Sequence, residues 1–72
     1  MLKAGTVCRV IDDSFCFFKP GDIVVTLEAS VAPYCCLEEH YNPRYSLQDY
    51  HVNLVSPLMW KELEELYDWA EK

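Results

Sequence analysis

Four cysteines and two histidines are the most reactive side chains in this chain of 72 residues. Cys36 and His40 stand four apart, and His51 follows. A thiol–imidazole pair built from them would be a nucleophile, given contact within hydrogen-bond reach, a lowered thiol pKa and an oxyanion site. No motif surrounds either residue, and Gly5 and Gly21 are too few for a glycine-rich loop. Structural zinc asks for four ligands, commonly in short Cys-x2-Cys pairs. Cys8, Cys16, Cys35 and Cys36 offer no such spacing. The expectation is a chain that is not an enzyme and holds no metal or cofactor.

Carboxylates form the second group. Glu62, Glu65 and Asp68 recur every three residues, which on a helix sets them along one side, with Glu64 and Glu71 close by. Two chemistries fit that array. It either imitates phosphates in a DNA- or RNA-binding cleft, or it is a solvated face that keeps a small protein soluble.

Aromatic residues form the third group. Ten Phe, Tyr and Trp residues are more than a core of this size hides. Tyr and Trp combine ring area with a polar tip, which suits interface anchors. Phe17, Tyr34, Tyr41, Tyr45, Tyr50 and Trp60, with Glu62, Glu65 and Asp68, are therefore the candidate partner-binding residues. The alternative is that most of the rings simply roof the core. Arg44, between Pro43 and Tyr45, is placed to pair with an acid or stack on a ring.

Composition narrows the partner. Six Lys and Arg against twelve Asp and Glu give a net charge of −6, which disfavours nucleic acid and anionic membranes as direct ligands. A basic or nucleic-acid-binding protein is the easier partner. No apolar run approaches the roughly 20 residues a membrane helix needs. The opening residues lack the apolar segment of a signal peptide, so a cytoplasmic protein with reduced thiols is expected.

Those side chains need elements to hold them. One domain, near the lower size limit for a self-supporting core, is expected over 1–72. Residues 5–11 are rich in β-branched residues and read as a strand; 12–18 read as a loop with aromatic anchors. Lys19-Pro20-Gly21-Asp22 predicts a type II turn, with proline presetting φ and glycine accepting a positive φ. Strand alternation follows over 22–28, with Ile23, Val25 and Leu27 on one face. Residues 34–40 and 51–55 read as further strands, and 41–50 as turns. In the first of these, Cys35 would face the core and Cys36 the surface. Over 57–71 the period changes to that of a helix, with Ser56 as N-cap, Pro57 at the first position and a stripe of Met59, Leu63, Leu66 and Ala70.

The block Phe18, Lys19, Gly21, Asp22, Ile23 and Leu27-Glu28 resembles the diverging turn of Src-homology-3-like barrels. Residues 46–52 are similar to the short helical turn and following strand at that family's end. The resemblance spans about 5–55 and implies a small five-stranded barrel, to which the C-terminal helix at 57–71 would be added. Of the family's peptide-binding aromatics, only Tyr50 has a counterpart here. The compact, acidic make-up also resembles small Src-homology-3-like proteins encoded by tailed bacteriophages. That resemblance implies a protein that binds and inhibits or redirects a host or defence protein. The function expected is thus non-catalytic protein–protein binding through an aromatic, acidic surface. A nucleic-acid mimic and a homo-oligomer assembled through the C-terminal helix are the alternatives.

Overall fold

The computed structural model describes residues 2–12 and 17–71, so most of the loop expected over 12–18, with Cys16, lies outside the described residues. Five strands follow in order: β1 (Thr6–Val10), β2 (Ile23–Thr26), β3 (Tyr34–Leu37), β4 (Val55–Pro57) and β5 (Leu63–Asp68). Short 3-10 turns occupy Glu38–His40, Leu47–Asp49, Val52–Leu54, Trp60–Glu62 and Trp69–Glu71. The strands form one antiparallel sheet of order β4-β3-β2-β1-β5. Its edges, β4 and β5, do not pair with each other, so the sheet is open. The chain is mainly β, as its strand patterns predict.

The turn before β2 forms as expected. Asp22 N–H donates to the Lys19 carbonyl at 3.1 Å, and Gly21 has φ +95°, which a side chain would strain. The Asp22 carboxylate accepts the Lys19 N–H at 3.0 Å. Gly21 N–H donates to the Val10 carbonyl at 2.7 Å, and Val10 N–H to the Asp22 carbonyl at 2.9 Å. The turn is thereby fastened to the end of β1.

Cys8, Val10, Val24, Cys35 and Leu63 come from four neighbouring strands and pack with Phe18 and Leu58 into one buried cluster. Register accounts for the grouping, because Cys8 faces Val24 and Val10 faces Leu63. Val7, Val25 and Cys36 alternate to the opposite face, yet they are also fully buried. Both faces of the central strands are covered. The expectation that Cys36 reaches the surface fails for that reason: residues 38–54 fold over its side of the sheet.

Thr6 and Thr26 are buried polar residues whose hydroxyls are satisfied at one point. Both donate to the Lys3 carbonyl, at 2.8 and 2.7 Å, and Thr26 Oγ1 accepts the Thr6 N–H at 3.0 Å. This joins the entry of β1 to the end of β2.

The largest correction concerns 57–71, which is not an α-helix. Pro57 ends β4, the 3-10 turn Trp60–Glu62 follows, and Leu63–Asp68 is a strand. β1 lies between β2 and β5, and all of it except Arg9 is buried. Without β5, one row of its peptide groups would lose its partners, a cost that outweighs helix propensity of a few tenths of a kcal/mol per residue. The helical stripe is dispersed accordingly. Leu63 enters the core, Met59 and Ala70 are exposed, and Leu66 is the extra residue of a bulge between Glu65, opposite Cys8, and Tyr67, opposite Val7. Ser56 pairs with Cys35 instead of capping a helix. Pro57 is tolerated because β4 is an edge.

Smaller corrections fall on the flanks. The strand expected over 34–40 stops at Leu37, where the Glu38–His40 turn begins. The strand expected over 51–55 is instead the turn Val52–Leu54, with β4 starting at Val55. The helical turn within 46–52 exists at Leu47–Asp49, but it lies between β3 and β4. The turn that precedes the last strand is Trp60–Glu62.

Candidate functional site

Residues 38–54 link β3 to β4 and carry the densest set of local hydrogen bonds to side chains. Asn42 is their hub. Its side-chain carbonyl accepts the Arg44 N–H at 2.9 Å, and its backbone carbonyl accepts the Tyr45 N–H at 3.0 Å, closing a turn through Pro43. The Tyr50 hydroxyl accepts the Asn42 N–H at 3.1 Å and donates back to its carbonyl at 3.2 Å. Ser46 then starts the next turn, with its N–H and hydroxyl both donating to the Asp49 carboxylate, at 2.6 and 3.1 Å. The two turns fix the spacing of Tyr41, which precedes them, Tyr45, where they meet, and Tyr50, which follows them.

The result is a groove of about 230 Å³ between this link and the ends of β1 and β2. Tyr41, Tyr45 and Tyr50 line it with Pro43 and Leu47, and Gly5 and Thr26 close the sheet side. Tyr45 and Tyr50 meet edge to face with centroids 5.4 Å apart. Tyr41 rests against Trp69 at 5.1 Å, and Trp69 N–H donates to the Gly5 carbonyl at 2.8 Å. Gly5 has φ +84°, and a methyl group there would stand 3.7 Å from the Tyr41 hydroxyl. That distance is an ordinary contact, so glycine is required here by its backbone conformation.

Burial favours the protonated forms of two thiols and of two of the groove's tyrosines. Burial pushes the Cys36 thiol up to about 11, partly countered by its interaction with the Tyr50 side chain. Burial, with Glu65 nearby, raises Cys8 to about 11 as well. Tyr41 is raised by burial and by its proximity to Cys36 and Asp68. Tyr50 is raised by burial, and its bond to Asn42 lowers it. At neutral pH both thiols are therefore neutral hydrophobes rather than nucleophiles. Among the described residues no three His, Cys, Asp or Glu side chains converge as metal ligands.

The other candidate residues are scattered. Trp60 is exposed on the turn before β5, where its N–H donates to the Val31 carbonyl at 3.0 Å. With exposed Ile11, Val31 and Met59 it marks a second apolar surface, as Ile11 N–H donates to the Glu62 carbonyl at 2.9 Å. Phe17 is exposed and stands edge-on to the core residue Phe18 at 5.3 Å. Tyr34 lies on β3 opposite Pro57.

Nor do the carboxylates make a helical row. Glu62 is buried and accepts the Met59 N–H at 3.1 Å. Glu65 is exposed and opposite Cys8, and Asp68 is 3.5 Å from Lys3. Glu64 pairs with Arg9 at 2.9 Å. Pro43, Leu47 and Gly5 belong to the groove without having been singled out in the sequence. Turns are expected over 41–50, but nothing local reports that β1 starts and β2 ends beneath them.

No protein-family model matches this chain, and no curated protein or solved structure matches it. Among the described residues no helix is long and apolar enough to cross a membrane.

Proposed function

We propose that this chain is a non-catalytic protein-interaction module that inhibits or modulates a larger protein through an aromatic, acidic surface. The observation that carries this reading is the convergence of Tyr41, Tyr45 and Tyr50 on one groove. Rings held by neighbouring turns bind with little loss of side-chain entropy, and carboxylates steer a basic partner toward them. The net charge of −6 favours such a partner. The same proposal covers the finer fold and origin: a Src-homology-3-like barrel variant of the kind encoded by tailed bacteriophages, acting in host cytoplasm. In its support stand the meander β1 to β4, the return of β5 to β1, and the Lys19–Asp22 turn.

The alternatives gain no specific support. A phosphate mimic needs carboxylates gathered on one surface, whereas Glu62 is buried and Glu64 and Asp68 face cations. Assembly through a C-terminal helix lacks the helix. The deciding experiment is affinity capture of the tagged chain from host lysate, in parallel with Tyr45→Ala and Trp60→Ala. A partner retained by the wild type and lost with Tyr45→Ala supports the groove. A partner lost only with Trp60→Ala would move the function to the second apolar surface, and capture unaffected by either change would refute an aromatic interface.

A further inference from the structure

We propose that the tyrosine-lined groove receives the guanidinium of an arginine side chain from the partner protein. This rests on the binding function proposed above and specifies its chemistry. Three observations converge on a cation. Three tyrosine rings line one concavity of about 230 Å³, and ring faces attract cations through their quadrupole. No lysine or arginine lines the groove, and among the described residues no cation of this chain stacks on these rings. Lys3 and Arg9 pair at the surface with Asp68 and Glu64, and Arg44, between Pro43 and Tyr45, is exposed and outside the lining.

The overall charge of the protein also favours a cation over an anion. The Tyr41 phenolate is disfavoured first by burial and then by Cys36 and Asp68, and the protein as a whole carries a net charge of −6. An anionic ligand would meet this field without a countercharge in the lining.

Guanidinium fits better than a compact ammonium because it is planar and weakly hydrated, stacks on rings and presents five N–H donors. The hydroxyls of Tyr41 and Tyr45 make no hydrogen bond to the described residues, which leaves two acceptor oxygens beside the rings. Tyr45 is half exposed, at 51%, so a side chain entering from solvent reaches its ring directly.

The test is an NMR titration of the full chain with Nα-acetyl-arginine methylamide, using the neutral citrulline counterpart as control. The arginine probe should shift the amides of residues 41–50 saturably, and the citrulline probe should bind about tenfold more weakly, as expected for loss of a partly desolvated cation–π contact. Tyr45→Phe, which keeps the ring face, should retain most of the affinity. Tyr45→Ala should lose it while the rest of the spectrum stays in place. Equal binding of both probes, absence of shifts at 41–50, or undiminished binding to Tyr45→Ala would overturn the assignment. A captured partner that docks on 41–50 while the arginine probe leaves those amides unmoved would defeat the arginine assignment alone. A partner complex indifferent to Tyr45→Ala would defeat the binding site itself.

Discussion

At the scale of single residues, the polar and thiol groups inside the sheet matter more to stability than to chemistry. Cys8 and Cys36 titrate near 11 in the fold against an ordinary 9.0. The folded state therefore holds protons that the unfolded chain releases, so the thiols' contribution is complete below pH 9 and declines as pH rises toward 11. Urea midpoints measured from pH 8 to 11 should fall across that window, and a flat profile would contradict the burial of both thiols. Thr26 offers a second test. Its hydroxyl serves the Thr6 N–H and the Lys3 carbonyl, so Thr26→Val, nearly equal in shape, leaves a buried donor unpaired. The expected loss is about 1–3 kcal/mol in urea unfolding.

At the scale of elements, β5 is what completes the sheet. Leu63–Asp68 covers the free side of Thr6–Val10, and no other described strand reaches it. A chain ending at Glu62 should lose the dispersed amide spectrum of a folded protein, because β1 would become an open, apolar edge prone to association. Retention of a dispersed, monomeric spectrum would show β5 to be dispensable. The same comparison explains why the C-terminal pattern misleads. Glu, Leu, Lys and Ala favour helix locally, and the spacing of Leu63 and Leu66 fits a helix as well as a bulged strand. By contrast, the Lys19–Asp22 turn was legible because proline and glycine restrict the backbone without help from distant residues.

At the scale of the molecule, a small buried cluster on one face of the sheet carries much of the fold. A chain of this length has a stability of roughly 4–11 kcal/mol, taking about 0.05–0.15 kcal/mol per residue. Leu58→Ala removes a buried side chain from that cluster and should cost about 2–5 kcal/mol, a large share of the total. Calorimetry should show Tm lower by about 10 °C or more. Trp60→Ala, on an exposed ring, should change Tm far less, so it separates a binding defect from an unfolding one.

Much of the β character and the makings of an aromatic surface were present in the residue pattern. Strand alternation, β-branched runs and turn dipeptides are local properties, and they locate β1, β2 and the start of β3. Charge and aromatic content motivate the proposal of a protein-binding surface. The groove was only half legible. Tyr41, Tyr45 and Tyr50 were visible as candidates, but their convergence depends on the Asn42 turn closing against Tyr50 and on Gly5 and Thr26 meeting them from the sheet. The fate of residues 57–71 and of Cys36 was beyond local pattern altogether. Both were decided by long-range partners: the open side of β1 drew the last segment into a strand, and the link over β3 buried a thiol that alternation alone would leave outside.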